Sequence, residues 1–411
     1  MTITLKTLTP LWTGGADGKS DRLHETGLIG SLRWWYEALV RGLGGRACDP
    51  SDHTCNFDEE KYRKSKATDE RQRLRDAGIC DACQVFGATG WARKFRLEAG
   101  ELESFFDGEN VLLPSGRIHR WTDKRSGKPK QRAGGWYVNG EGRFGETQLH
   151  FTFLRKMNLE ELQLPLLLIA RHASIGAKAP SGSGVIHASR DGAPISITPQ
   201  VIEQLPLGNF KRGSSLPDLR DFFFAKLVVD VPNATSQTWW TRIGGIREAV
   251  AKSVTDNSQN PPARMQLPDV TRQLQAVVTK NVIPLAPAVR NWLRFEKFKS
   301  LGKNQSDYLF GKTSKNDNIA SKINVSHAYS IGANEWEFRV WGWLPCSMSQ
   351  AVKLDRDQFL DELKKTLESN NWSPVLGEAQ LQPRVTSWHA RKCNDQDGQG
   401  YLRELLEGGA S

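Results

Sequence analysis

Along the first half of the chain the spacing of apolar residues switches between two and three-to-four in a set order, and that order restricts the fold more than any other feature. Residues 2–9 alternate through Ile3, Leu5 and Leu8 as a half-buried strand does, and Thr9-Pro10 ends the run. Residues 25–43 place Ile29, Leu32, Tyr36, Leu39, Val40 and Leu43 three or four apart, the spacing of a helix with one apolar face. Arg33, Glu37 and Arg41 form a charged ladder on its other side, and Gly44-Gly45 stops it. Short strands are predicted at 95–97 and 111–113, a longer one at 149–154, a helix at 159–173 and a closing strand at 195–198. Strand, helix, strand, strand, helix, strand is the ferredoxin-like order.

The second half repeats the same class of pattern without repeating the sequence. Residues 222–231 are an apolar run suited to a central strand, and 288–299 read as a helix. Residues 322–331 and 335–344 read as two strands joined by Gly332-Ala333-Asn334, followed by an amphipathic helix at 354–369. The expectation is an α+β protein of two ferredoxin-like (RRM-like) domains, 1–215 and 216–411, meeting near 208–216. Residues 46–83 read as a polar, cysteine-bearing insertion in the first domain, with a charged helix over 58–76. Residues 255–269 read as a loose loop and 408–411 as a free end.

Charge bears on partners rather than on fold. Lys and Arg number 56 against 46 Asp and Glu, a net charge of +10 shared by both halves, which favours polyanions. No apolar run is long enough to cross a bilayer, and residues 1–6 lack the apolar core of a secretory signal. A cytoplasmic location without membrane contact is expected. Between 117 and 132, Arg117, Arg120, Lys124, Arg125, Lys128, Lys130 and Arg132 face Asp123 alone. Such a run repels itself unless an anion sits among the cations, so nucleic-acid contact is favoured over a merely solubilising loop.

Two glycine-rich loops extend this reading. Gly14 and Gly15 with Lys19 and Arg22, and Gly176-Ala177-Lys178 with Ser181-Gly182-Ser183-Gly184, combine small residues, hydroxyls and cations. Glycine lets backbone N–H groups approach a phosphate closely, while the lysine supplies charge. Neither loop has the spacing of a nucleotide-binding P-loop or of a dinucleotide fingerprint.

Of the six cysteines, Cys48-x6-Cys55 and Cys80-x2-Cys83 read as a tetrahedral, structural Zn2+ set stapling the polar insertion, with His53 a possible substitute ligand. The same insertion could dock a protein neighbour. A disulfide framework is not expected, for Cys346 and Cys393 included. The 14 tryptophans include Trp34-Trp35 and Trp239-Trp240; most are expected in the core, and any exposed one could stack on a base. The eight histidines are scattered, and His24 beside the first glycine loop is the one candidate general base.

Three stretches carry a family resemblance. Leu8-Thr9-Pro10-Leu11-Trp12-Thr13-Gly14-Gly15, Gly30-Ser31-Leu32-Arg33-Trp34-Trp35 and the run from Cys80-Asp81-Ala82-Cys83 through Phe95 resemble the first-subunit family of the Cmr module, the type III-B CRISPR effector. That family lies within the RAMP (repeat-associated mysterious protein) superfamily. Residues 176–184 are similar to the glycine-rich loop general to the superfamily, and 323–345 to its C-terminal strands. The resemblance implies two ferredoxin-like domains and a non-catalytic subunit that binds CRISPR RNA and target RNA near the 3′ end of the guide. It also implies other Cmr subunits as partners. By position it makes Gly14, Gly15, Arg22, Arg33, Arg93, Lys94, Lys178, Ser181 and Ser183 the RNA-facing candidates. Lys178-Ala179-Pro180-Ser181 stands where the family often carries more arginine. The alternative implied by the superfamily is an endoribonuclease that processes CRISPR RNA, with His24 as base and Lys19 or Tyr36 as its partner.

Overall fold

The computed structural model describes residues 1–49, 54–105, 111–138, 142–197, 216–231, 239–247 and 277–407, less 16, 124, 314–316, 348–351 and 378–379, together with 52, 201–202, 205 and 275. The first unit runs β1 (Thr2–Thr7), α1 (Glu25–Gly42), β2 (Phe95–Ala99), β3 (Glu146–Phe153), α2 (Glu160–His172) and β4 (Ile186–Arg190). Its sheet is antiparallel in the order β2-β3-β1-β4, which is the ferredoxin-like arrangement. Register follows the alternation: Ile3 opposes Leu149, Leu97 opposes Phe151 and Leu5 opposes Ala188, all facing inward. Lys6, Arg96, Gln148, His150 and Thr152 face solvent from the other side. Among the described residues that open face carries no Phe, Tyr or Trp, only the imidazoles of His150 and His187, so it lacks the Phe/Tyr stacking platform of an RRM.

The second unit is β5 (Phe222–Asp230), α3 (Ala286–Trp292), β6 (Ile323–Val325) with β7 (Ala328–Ser330), β8 (Glu335–Trp343), α4 (Arg356–Leu367) and β9 (Arg384–Ala390). Strands β6 and β7 both pair β8, β8 pairs β5, and β5 pairs β9, all antiparallel. The ferredoxin-like order therefore recurs, with its second strand broken at Ser326-His327.

One face of the second sheet (Phe223, Ala225, Leu227, Val229) packs on α3 and α4 through Val289, Trp292, Phe359 and Leu363. The opposite face (Phe222, Phe224, Trp341, Trp343) joins the core of the first unit. There Trp35 of α1 meets Phe222 and Trp343 at ring-centroid distances of 5.2 and 5.0 Å, and His172 of α2 meets Phe224 at 4.3 Å. Among the described residues these units form four layers, sheet, helices, sheet, helices, with one face of the first sheet open.

Several expectations shift. The closing strand of the first unit is Ile186–Arg190 rather than 195–198. Its inward residues include the small Ala188, and it follows the glycine loop directly, so alternation is faint. Residues 111–113 belong to a separate hairpin, Val111–Thr122 paired with Pro129–Val138, inserted between β2 and β3. The charged helix over 58–76 is two short helices, Glu59–Lys64 and Glu70–Asp76, each started by an aspartate accepting an N–H. The helix expected at 288–299 starts at Ala286 and passes into a π-turn, Leu293–Lys297. Cys346 and Cys393 form a disulfide with Cα atoms 5.5 Å apart. The register explains it: Trp343 opposes Phe222 and Ala390 opposes Phe223, so both chain segments leave the sheet at one end. Residues 255–269 and 408–411 lie outside the described residues, as does most of 208–216. No helix among the described residues is long and apolar enough to cross a membrane.

Candidate nucleic-acid interface and metal cluster

The two glycine loops, some 160 residues apart in the chain, meet at the joint between the units. The Ala177 N–H donates to Trp12 O (2.8 Å), the Gly184 N–H to Pro10 O (2.9 Å) and the Gly176 N–H to Ser31 Oγ (3.0 Å). Two glycines are there for close approach. At Gly176 (φ +81°) a Cβ would lie 2.4 Å from Trp12 O, and at Gly184 (φ +87°) 2.1 Å from Ile175 O. The tip of this second loop is held by the other unit, where the His327 N–H donates to Gly182 O (3.0 Å) and Arg290 Nη1 to Pro180 O (3.2 Å). His327 is fully enclosed, and burial lowers its imidazole to about 3, keeping it neutral beneath the loop.

These bonds change what the loops can do. The N–H groups of Gly176, Ala177, Ser181, Gly182 and Gly184 all donate within the chain, as do those of Gly15 and Gly18 in the first loop. A phosphate cradle of backbone donors, expected from the glycines, is therefore not presented by these groups. Ser183 is buried at 2% exposure, while Ser181 is half-buried. Lys178 sits with its ammonium 3.4 Å from the Trp12 ring centre, a cation–π contact.

In the first loop Lys19 is exposed beside Asp17, and Arg22 pairs Glu25 at 3.1 Å. His24 Nε2 lies 2.8 Å from Asp21 Oδ1, which holds the aspartate below the usual carboxylate range. The hydroxyl of Tyr36 is buried and donates to Glu161 Oε1 (3.4 Å), so it is not assembled with His24.

Around the joint lies a cavity of about 490 Å3. One wall is α1, through Gly27, Gly30, Ser31, Trp34 and Trp35; another is the pair of loops, through Thr13, Gly14, Gly176 and Ala177. The third comes from the second unit: Ser321, Asn324, Trp341 and Trp343. Among the described residues no ionisable side chain lines it. Trp34, 37% exposed, stands edge-on to Trp343 with centroids 4.8 Å apart. Sequence reasoning marked Trp34 as a stacking candidate only through the tryptophan pair, and it did not find Ser321, Asn324 or Trp343. Their place in the wall depends on how the second sheet docks.

The remaining candidates lie elsewhere. Arg33 is committed to the cysteine insertion: Nε donates to Glu37 (2.8 Å), Nη1 to Gly87 O (3.2 Å) and Nη2 to Cys83 Sγ (3.2 Å). Arg93 and Lys94 do not line the cavity, and burial lowers the Lys94 ammonium. Arg125 and Lys128 are exposed at the turn of the hairpin, where Asp123 Oδ1 accepts the Arg125 and Ser126 N–H groups. Arg117, Arg120, Lys130 and Arg132 are on its strands, with side chains outside the described residues, as is the whole of Lys124.

The four thiols of Cys48, Cys55, Cys80 and Cys83 gather with all sulfurs within 4.8 Å of one another. Cys48 Sγ and Cys83 Sγ are 3.5 Å apart, close to the ~3.8 Å edge of a tetrahedron with metal–sulfur bonds of about 2.3 Å. Backbone N–H groups of Cys48 and Cys83 point to Cys80 Sγ, and that of Cys80 to Cys55 Sγ. Those donors favour thiolates, and Arg33 adds a positive charge beside Cys83. The group is compatible with a metal ion, whereas His53 lies outside the described residues.

The RAMP superfamily model matches residues 4–187, a span that holds both glycine loops and all four clustered cysteines. Among solved structures, the crystal structure of Cmr1 from Pyrococcus furiosus (apo form) is similar at a TM-score of 0.35 and 11% identity, over 85% of this chain and 91% of that one. No curated protein matches.

Proposed function

Because residues 4–187 match the RAMP superfamily, we propose that this chain is a non-catalytic RNA-binding subunit of a type III-B CRISPR (Cmr) ribonucleoprotein. Its partners would be CRISPR RNA, target RNA and neighbouring Cmr subunits, with contacts near the 3′ end of the guide. The observation that carries this is the convergence of both glycine loops on one aromatic-walled cavity at the joint of two ferredoxin-like units. The exposed cations Lys19, Arg22, Arg125 and Lys128 would hold phosphates from the surface, since the loop N–H groups named above are already used.

Binding of single-stranded RNA should fall with salt, and Arg125→Glu with Lys128→Glu should lower the slope of log affinity against log salt by roughly 1.4, two phosphate contacts' worth. An unchanged slope and affinity would remove the hairpin from the interface. The non-catalytic reading is supported by the neutral lining of the cavity and by the separation of Tyr36 from His24. Cleavage of repeat RNA by the purified chain, lost in His24→Ala, would replace it with the endoribonuclease reading.

We further assign Cys48, Cys55, Cys80 and Cys83 as the ligands of a structural Zn2+. Four thiolates fill a tetrahedron and leave no open position for chemistry.

A further inference from the structure

Helix α1 turns one ridge, Arg33, Glu37 and Arg41, toward the cysteine insertion. In sequence this spacing reads as a solvated charge ladder, which adds little to a helix. In the fold the ladder is enclosed. Glu37 is only 3% exposed; its Oε1 accepts from Arg33 Nε (2.8 Å) and its Oε2 lies 3.6 Å from Arg41 Nη2. The other nitrogens of the two arginines reach the stretches that carry the cysteines. Arg33 donates from Nη2 to Cys83 Sγ (3.2 Å) and from Nη1 to Gly87 O (3.2 Å). Arg41 donates from Nη2 to Cys48 O (2.9 Å) and from Nε to Ala47 O (3.4 Å). Its Nη1 donates to Pro217 O (3.0 Å), at the entry to the second unit. One arginine thus holds the Cys80–Cys83 end of the site and the other the Cys48 end.

Charge explains why the ridge lies there. Four thiolates around Zn2+ leave two negative charges in excess, and Cys80 and Cys83 are buried. A charge taken out of water is costly unless a counter-charge and hydrogen bonds meet it. The backbone N–H groups that point to the sulfurs of Cys55 and Cys80 supply dipoles but no charge. Arg33 supplies a full charge at hydrogen-bond distance from the Cys83 sulfur. Its three nitrogens reach three different acceptors at once, which the planar guanidinium fork allows and a lysine ammonium does not. We propose that Arg33, oriented by Glu37, is a positioning residue of the metal site: it aims the Cys83 sulfur at the ion, offsets the charge of the cluster and ties the ion to α1. An RNA contact, which the family resemblance implies for Arg33, would cost it these bonds. The proposal rests on the assignment of the four cysteines as zinc ligands and adds to it the residue that holds the cluster from outside.

The test uses the full chain and measures zinc affinity by competition with a chromophoric chelator. Arg33→Ala should hold zinc roughly 10- to 100-fold more weakly, the usual effect of removing a hydrogen-bond partner of a metal ligand. Arg33→Lys, which keeps the charge and loses the fork, should recover part of that loss. Arg33→Gln, which keeps an amide donor without the charge, should not. Cobalt(II) in place of zinc reports on the sulfurs directly. Without the Arg33 donor the lone pairs of the Cys83 sulfur rise in energy, so the sulfur-to-cobalt charge-transfer band should move to longer wavelength in Arg33→Ala and Arg33→Gln. Metal should also raise the melting temperature less in these two variants than in the wild type. Wild-type zinc affinity with an unmoved cobalt band, in whichever of the two folds, would overturn the role of Arg33 and leave the zinc assignment standing. A melting temperature lowered equally with and without metal would do the same, since it would reduce Arg33 to packing. A wild-type chain that takes up neither metal would overturn both.

Discussion

At the scale of single residues, the glycines divide into those that a neighbouring atom requires and those that a turn merely prefers. Gly184 and Gly192 both have positive φ, +87° and +80°, but only Gly184 has backbone against it, with Ile175 O 2.1 Å from a built Cβ. Gly184→Ala must move one of the two glycine loops and is expected to cost several kcal/mol, whereas Gly192→Ala should cost only about 1 kcal/mol. Urea unfolding of the two variants measures the difference. The sequence marked both loops as special and read the glycines as phosphate contacts; in the folded chain Gly176 lets one loop lie against the other at Trp12, and Gly184 closes the second loop on its own Ile175. Arg33 shows the same limit. Its charge and helical position were legible, but its direction, towards Cys83 and Gly87, depends on where the insertion folds back.

At the scale of elements, the cysteine insertion has little core of its own ahead of Cys80. Its helix Glu59–Lys64 has no buried residue and Glu70–Asp76 has only Leu74. The segment starting at Cys80 is different: Asp81–Phe86 is buried throughout, and Arg75 pairs the buried Asp81 at 2.8 Å. Metal removal should therefore loosen 46–79 while leaving the buried helix in place. We expect one zinc per wild-type chain by metal analysis, none in Cys80→Ser, and new protease cleavage confined to 46–79 after chelation. A metal-free wild type with the same protease resistance would refute the assignment. The spacing of the cysteines already announced a four-thiol set, because ligand chemistry is local to four side chains. The basic hairpin was legible only as a charge run, since strand pairing between 111–122 and 129–138 shows no strong alternation beyond 111–113.

At the scale of the whole molecule, the two units share one core. Phe222, Phe224, Trp341 and Trp343 of the second sheet sit with Trp35, Leu39 and Ile169 of the first unit's helices. The last helix, Gly398–Glu407, ties them again: Tyr401 donates to Phe222 O (2.9 Å), His172 Nε2 to Leu405 O (2.8 Å) and Arg171 to Leu406 O (2.6 Å). A fragment of residues 1–215 would expose that apolar helical face, so it should aggregate or bind a hydrophobic dye, while the full chain melts in one transition. Two separate melting transitions in the full chain would contradict the shared core.

Alternating and helical spacings, the cysteine set and the excess of positive charge are properties of short stretches or of the sum, and the sequence by itself determined them. It thereby determined two ferredoxin-like units and a candidate metal cluster. Only the tertiary structure decided that one sheet would be covered on both faces and that Trp34, Asn324 and Trp343 would enclose one cavity. It also decided that the loop N–H groups would be used internally. Those outcomes rest on contacts between residues hundreds of positions apart, whose free energy depends on shape and burial that no local spacing encodes.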